Sequence, residues 1–330
     1  MPTPRANHLT TSNRYRKSGI ALLMLLGSFV NSAVASERPD YGISSQERDP
    51  IHWIEKMGTA LIEENYRGVF TIARGREFNS IEIDHRYQDG VVTEHLTQQN
   101  GPHRKVIRHG QSIECFHEDS ASSLDHAVHL GPFSQSFNAS LQAQSNHYVS
   151  KIIGVDRVAG RQAVVLSVQA TAGDRFGFML WIDRQRGLLL QSHLVDRGRI
   201  LEVFQFASVD FDLASPLVSE ASEYQGWIAH SLTEEVMTAS EKPSFKVKWM
   251  PAGYRVVSSS KNRVHFSDGV SDFSIFLDLG RVTPKVATEI KGRTIVTRPL
   301  RSQEGQITIV GSLPLPTAER LAESVESVVY

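Results

Sequence analysis

The sequence has little of several features that mark common classes of protein. It holds one cysteine, Cys115, in 330 residues, so neither an internal disulfide nor a cysteine zinc cluster can form. Its formal net charge is only -1, which provides no overall field to attract nucleic acid. For Cys115 two interpretations stay open. One is a buried small side chain, and the other is a redox sensor, which needs an exposed thiol in a positive environment.

Catalytic motifs are missing as well. The chain has no Gly-x-Ser-x-Gly elbow, no Gly-rich phosphate loop and no His-Glu-x-x-His metal frame. His126 and His129 form a weak pair that cannot complete a zinc shell of about four ligands. We therefore expect no metal, no cofactor and no enzymatic activity. A hydrolase with a scattered triad stays open as an alternative, because triads are set by geometry rather than by sequence position.

The apolar run at residues 20–30 is too short to span a bilayer, which takes about 20 residues. Arg14, Arg16 and Lys17 precede it, and Ala33-Val34-Ala35 follows it. This order is typical of a secretory signal peptide. We expect cleavage near Ala35 and a product that is soluble outside the cytoplasm.

The rest of the chain shows two kinds of hydrophobic period. Residues 49–65 predict a helix, with Asp49 as its cap and Pro50 in its first turn. From residue 69 to 212 the period changes to two, and turn residues such as Asp89-Gly90 separate the runs. This pattern predicts one large antiparallel sheet, curled into a barrel or half-barrel. Phe133, Phe137 and Leu141 suggest a second helix against it.

The predicted organisation has four parts. Residues 1–35 are a signal peptide, and residues 36–212 form the large domain. Residues 213–242, rich in Ser, Ala and Glu, read as a linker. Residues 243–330 form a smaller antiparallel sheet with a closing helix that starts near Thr317. The fold class is therefore α+β, mostly antiparallel β.

Two groups of side chains are candidates for binding, and each has a plain alternative. Arg104, Lys105 and Arg108 could contact phosphates or an acidic peptide, or they could be the solvated charges of a hairpin. Aromatic residues on alternating strands could line an apolar cavity for acyl chains, or they could fill the core. The cavity candidates are Phe70, Tyr87, Phe178, Trp181 and Phe204.

Six stretches of the chain are distinctive: residues 53–68 (WIEKMGTALIEENYRG), 100–110 (NGPHRKVIRHG), 181–195 (WIDRQRGLLLQSHLV), 249–254 (WMPAGY), 266–276 (FSDGVSDFSIF) and 308–325 (TIVGSLPLPTAERLAESV). In this order they resemble the periplasmic sigma-E regulatory proteins called RseB or MucB. The resemblance spans the whole mature chain, and the second-domain stretches are the more specific. Position 250 is Met where Leu is common in the family, and Asp272 replaces a small residue.

The resemblance implies a negative regulator of the envelope stress sigma factor. Such a protein binds the periplasmic segment of a membrane anti-sigma factor, RseA or MucA, and shields it from proteolysis. Lipopolysaccharide or mislocalised lipoprotein would bind the large domain, a half-barrel similar to the carriers LolA and LolB, and release the anti-sigma factor. The alternative is a plain lipoprotein or lipid carrier, and homo-oligomers stay open.

The small domain is expected to supply much of the grip on the anti-sigma factor. Large aromatic residues commonly anchor interfaces, although an ordinary core position is the alternative for each of them. The candidates for partner binding are Trp249, Tyr254, Phe266, Phe273 and Phe276.

Overall fold

The computed structural model describes residues 48–110, 112–118, 147–211, 213, 227–233, 242–280, 284–290, 292–300 and 305–327. The expected signal peptide, the pair His126 and His129, and the helix expected around Phe137 lie outside the described residues. No helix of the described residues is long and apolar enough to cross a membrane.

The first helix, α1 (Pro50–Glu63), begins where the sequence predicts. Asp49 Oδ1 accepts a hydrogen bond from the backbone N–H of Ile51 at 2.9 Å, as a capping residue does. The helix ends at Glu63 because Glu64 is extended. Gly68 lies inside the first strand, residues 66–74, and not at the end of the helix.

A single antiparallel sheet of eleven strands follows α1. Its order is β11-β5-β4-β3-β2-β1-β10-β9-β8-β7-β6, so the first strand lies inside the sheet and the two end strands are not paired with each other. The strands are β1 (Tyr66–Arg74), β2 (Glu77–Gln88), β3 (Val91–Gln98), β4 (Arg104–His109), β5 (Ser112–His117), β6 (Tyr148–Val158), β7 (Arg161–Ala170), β8 (Gly177–Asp183), β9 (Leu189–Asp196), β10 (Arg199–Asp210) and β11 (Ile228–Thr233).

The large sheet is strongly curled. β10 and β6 are four places apart in the strand order, which is about 19 Å in a flat sheet at the usual spacing of about 4.8 Å. Yet Cα atoms of these two strands approach within 8 Å. α1 contacts both β2 and β6, and so lies inside the curl. The predicted curled antiparallel sheet is confirmed.

The predicted linker needs a correction. β11 lies within residues 213–242 and pairs with β5 in register from Ile228 opposite His117 to Thr233 opposite Ser112. Part of that segment is therefore the eleventh strand of the large sheet. Its Ser- and Ala-rich composition hides the strand, because a strand at the end of a sheet does not need strict alternation of apolar residues.

The remainder of the described chain forms a second, smaller sheet, here called the small sheet, with the order β13-β14-β15-β18-β17-β16. Two further short strands, β12 and β19, pair with each other. The bounds are β12 (Phe245–Val247), β13 (Arg255–Ser260), β14 (Arg263–Ser267), β15 (Asp272–Leu279), β16 (Val286–Ile290), β17 (Arg293–Pro299), β18 (Gly305–Gly311) and β19 (Val325–Ser327).

The closing helix, α2 (Leu315–Ser324), packs on the small sheet through Ala318 and Leu321. It begins two residues before Thr317, which is not its cap, and it ends before Val325. Val325 to Ser327 are extended and pair with β12.

Candidate binding surfaces

The inner face of the large sheet, defined as the face that carries Phe70 and Phe204, is apolar and covered. The two rings lie on neighbouring strands with their centroids 5.1 Å apart. Both residues are 0% exposed. Trp53 and Met57 of α1 pack into the same core. A ligand can reach these rings only after the groups that cover them have moved.

The three other predicted cavity residues lie in different places. Phe178 is buried in the same core, and Tyr87 is half-buried near the end of β2. Trp181 is three residues from Phe178, and this odd spacing places the two side chains on opposite faces of β8. The Trp181 indole Nε1 donates to Asp156 Oδ2 at 2.9 Å. The five residues therefore do not share one surface. The two-residue period of a strand already predicts that Phe178 and Trp181 face opposite sides.

The predicted basic group on β4 is also divided. Arg104 and Arg108 share one face, while Lys105 points to the other. Arg108 Nη1 is 2.8 Å from Glu94 Oε2 on β3. Because Arg108 already has a carboxylate partner, the group is a weaker anion site than its sequence suggests.

A row of four polar side chains crosses the inner face. Tyr66, His85, Glu94 and Arg108 stand opposite one another on β1, β2, β3 and β4. We call them the polar row. Sequence reasoning missed it, although His85 follows Ile81 and Ile83 at even spacing and so had to lie on the apolar face.

Burial controls the charge of the polar row. His85 is 1% exposed, and its Nδ1 donates to the Glu64 carbonyl at 2.8 Å. Its Nε2 is 3.8 Å from Glu94 Oε1. Burial lowers the pKa of His85, and the nearby charge of Glu94 opposes this shift only in part. Burial and the same carboxylate raise the pKa of the Tyr66 hydroxyl. His85 is thus neutral at pH 7.

Cys115 belongs to the same inner face and is 2% exposed. Burial raises the pKa of its thiol. The protonated thiol is a poor nucleophile, so the geometry fits the role of a small buried side chain.

The aromatic residues predicted for partner binding separate into buried and accessible ones. Phe273 stacks on Phe266 at 4.9 Å and lies 5.0 Å from the Tyr254 ring. These three fill the core of the small sheet. Phe276 lies on the opposite face, is 37% exposed, and has the Arg263 guanidinium 5.4 Å from its ring.

Trp249 is half-buried beneath Arg320, whose guanidinium is 3.8 Å from the ring centroid. Trp249 and Phe276 are therefore the two predicted contact residues that a partner could reach without unfolding the small sheet.

One arrangement has the composition of a hydrolytic triad. His265 Nδ1 is 3.0 Å from Ser274 Oγ, and His265 Nε2 is 3.8 Å from Asp272 Oδ2. The serine is 8% exposed and lies on an inner strand of the small sheet. Backbone N–H groups there are used by neighbouring strands, so they cannot form an oxyanion hole beside the hydroxyl. The geometry gives no support for the hydrolase alternative.

The two sheets meet at a buried polar contact, which we call the inter-sheet joint and define as Tyr148, Arg175, Tyr254 and Asp268. Arg175 Nη1 is 2.5 Å from Asp268 Oδ2, and the Tyr148 hydroxyl donates to the same oxygen at 2.9 Å. Burial and the charge of Asp268 raise the pKa of Tyr148 well above its ordinary value. The phenol therefore stays protonated and able to donate.

Comparison with known proteins identifies the family. Residues 49–226 match the MucB/RseB N-terminal domain, and residues 239–326 match the MucB/RseB C-terminal domain. The chain belongs to the MucB/RseB family. The resemblance found in the sequence is confirmed.

Curated members of the MucB/RseB family match over nearly their whole length. The sigma factor AlgU regulatory protein MucB of Pseudomonas aeruginosa is 30% identical over 322 residues, which cover 92% of this chain and 96% of that protein. The sigma-E factor regulatory protein RseB of Escherichia coli is 28% identical and covers 93% and 96%.

Solved structures of the family have the same fold. A structure described as the complex of Pseudomonas aeruginosa MucA and MucB matches with a TM-score of 0.69 and 26% identity, covering 86% of this chain and 100% of that chain. A second structure, of MucB with MucA(peri), matches with a TM-score of 0.66 and 28% identity over the same shares.

Proposed function

We propose that this chain is a periplasmic negative regulator of an envelope stress sigma factor, exported after cleavage near Ala35. It binds the periplasmic segment of a membrane anti-sigma factor similar to MucA or RseA and shields that segment from proteolysis. Lipopolysaccharide or the acyl chains of a mislocalised lipoprotein bind the large sheet and release the segment. The protein works by binding alone.

The observation that carries this proposal is the match to MucB over both sheets, including a structure solved with MucA. Both family models are matched in one chain. A plain lipid carrier would need only the large sheet, so the second matched region favours a regulator.

The inner face supplies a physical route for the lipid signal. Its rings are covered in part by α1, and an acyl chain could replace that cover, since both are apolar. A ligand that favours one arrangement of the two sheets must disfavour any ligand that favours the other. A coupling of about 1–3 kcal/mol is enough for a switch.

The test is a calorimetric titration of the mature protein with a synthetic peptide of the periplasmic segment of P. aeruginosa MucA. We expect saturable binding, protection of the peptide from an added protease, and loss of both when lipopolysaccharide is added. Absence of peptide binding would refute the regulator proposal, and lipid transfer in its place would favour the carrier alternative.

Two aromatic variants, compared in the same titration, test whether Phe276 contacts the peptide. Phe276→Ala removes the exposed ring on the small sheet, and loss of an interface anchor costs about 2 kcal/mol or more, roughly a thirtyfold loss of affinity. Phe78→Ala removes a ring that is 61% exposed on the large sheet and should leave peptide affinity unchanged. Equal effects of the two variants would exclude Phe276 as a contact.

A further inference from the structure

The buried polar contacts of the inter-sheet joint centre on one guanidinium, that of Arg175. A more exposed ion pair, Arg199 with Glu289 at 3.5 Å, also joins the two sheets. Arg175 lies in the loop before β8, and its Nη2 donates to the Ala252 carbonyl at 2.6 Å. Its Nε donates to Asp174 Oδ1 at 2.9 Å. The side chains of Arg175 and Asp268 are 1% and 0% exposed. Arg175 therefore holds one carboxylate of its own region and two acceptors of the small-sheet region.

The two carboxylate oxygens of Asp268 have different hydrogen-bond partners. Oδ2 accepts hydrogen bonds from Arg175 and Tyr148, which belong to the large-sheet region. Oδ1 accepts the backbone N–H groups of Val270 and Ser271, at 2.9 and 2.7 Å, and so fixes the turn between β14 and β15. One carboxylate thus shapes the turn and attaches it to the other sheet.

The turn also inserts an apolar side chain across the boundary. Val270 is 5% exposed and packs in the core cluster of the large sheet, not in that of the small sheet. The rings of Tyr148 and Tyr254, one from each region, lie 5.5 and 4.9 Å from the Arg175 guanidinium. The joint is therefore sealed by an apolar plug and by two aromatic rings.

Such a contact separates in an all-or-none way. A buried ion pair is stable only while the two charges stay in contact, because removal of either partner leaves an uncompensated buried charge. A small displacement would break the 2.5 Å contact before water could solvate both groups. The two sheets therefore stay in one arrangement until the pair opens completely.

We infer that Arg175 and Asp268 are positioning residues that hold the two sheets of this protein in the arrangement that binds the anti-sigma segment. Resting on the proposed function, this inference adds that the release signal must open the pair. Loss of the pair weakens binding of the segment, because a surface assembled from both regions is then no longer preorganised.

The test compares this pair with a second Arg–Asp pair that lies inside one sheet. Arg161 Nε is 2.5 Å from Asp183 Oδ2, and Asp183 Oδ1 accepts the N–H groups of Gln185 and Arg186. The two pairs consist of the same groups, but both partners of this pair belong to the large sheet, and Arg161 is 25% exposed where Arg175 is 1% exposed. Arg161→Met and Asp183→Asn are therefore matched controls for Arg175→Met and Asp268→Asn.

Spin labels at Gln88→Cys, at the end of β2, and Glu319→Cys, on α2, report the distance between the regions, since both positions are exposed. Cys115 is buried and stays unlabelled. We expect one narrow distance peak in the parent and in the Arg161 and Asp183 controls, and a broad distribution in the Arg175 and Asp268 variants. Arg175→Lys, which keeps the charge but loses the planar fork, should be intermediate.

The same variants are then titrated with the MucA peptide. We expect the Arg175 and Asp268 variants to bind about 5- to 150-fold more weakly, with the controls unchanged. A narrow peak in Asp268→Asn would overturn the positioning role. A broad peak with unchanged affinity would overturn the link to the partner. If the parent itself fails to bind the peptide, the proposed function fails, while the distance measurement still judges the joint.

Discussion

His85 shows how a single ionisable side chain is kept inside an apolar surface. Its ring stacks on Tyr66 at 4.9 Å, and its one proton is used by the Glu64 carbonyl at the end of α1. The charged groups that act on it are Glu94, Asp84 and Arg108. The neutral ring therefore ties the end of the helix to the sheet without placing a second positive charge beside Arg108.

This arrangement predicts a loss of stability on acidification. The pKa of His85 is lowered in the folded state, so the unfolded state binds more protons as the pH falls below the ordinary histidine value of about 6.5. Stability is then complete above that value and falls below it. The slope from one group cannot exceed about 1.4 kcal/mol per pH unit.

Urea unfolding between pH 7.5 and 5.5 measures the effect. His85→Asn keeps a donor for the Glu64 carbonyl but does not titrate, so its unfolding free energy should change less with pH than that of the parent. His109→Asn, at an exposed position, serves as the control and should behave like the parent. Equal slopes in the parent and in His85→Asn would contradict the assignment.

Gly68 allows β1 and β10 to approach each other closely. A Cβ atom at this position would lie 2.4 Å from the Ser208 carbonyl oxygen and 2.9 Å from the Phe206 ring. The pairing of β1 with β10 shifts register between Val69 and Phe70. The glycine thus permits the two strands to cross closely beside the irregularity.

Gly68→Ala should therefore destabilise the fold by overpacking. We expect the free energy of unfolding in urea to fall by about 1–3 kcal/mol. Thr71→Ala, in the same strand and half-buried, should have a smaller effect because no backbone atom has to move. A Gly68→Ala protein as stable as the parent would show that β10 can shift freely.

Most strands were predictable from the sequence because one of their faces is buried. The sequence predicts strands at residues 104–109, 263–267 and 272–279, and these are the bounds of β4, β14 and β15. β11 and β16 had no such signal. β11 lies in the segment predicted as a linker, and β16 is an end strand with three of its five side chains exposed.

The candidate binding residues were harder to predict than the strands that carry them. An alternating pattern shows that Phe273 and Phe276 face opposite sides, but not which side is covered. That depends on α2 and on the packing of the small sheet, which are properties of the folded chain. The inter-sheet joint joins residues 93 positions apart, Arg175 and Asp268, and no local pattern encodes such a contact.

At the scale of the whole molecule, the two sheets should unfold together. Val270 of one region is part of the other region's core, and the buried pair beside it crosses the same boundary. Neither sheet can open alone without exposing that plug and leaving a buried charge without its partner.

Hydrogen exchange measured by mass spectrometry in increasing urea tests this coupling. Peptides from β9 and from β15 should lose protection at the same urea concentration in the parent. In Arg175→Met the small-sheet peptides should exchange at lower urea than those of the large sheet. Separate transitions in the parent would mean that the two regions are energetically independent.

The strand order also determines when the newly made chain can complete its large sheet. β1 is an inner strand flanked by β2 and β10. Phe70 of β1 can pair with Phe206 of β10 only after the chain has been made as far as residue 206. Pairings so distant along the chain make folding slow. More than half of the chain is therefore made or exported before the apolar residues of β1 are covered by β10, and we expect a holding chaperone to bind the chain during that interval.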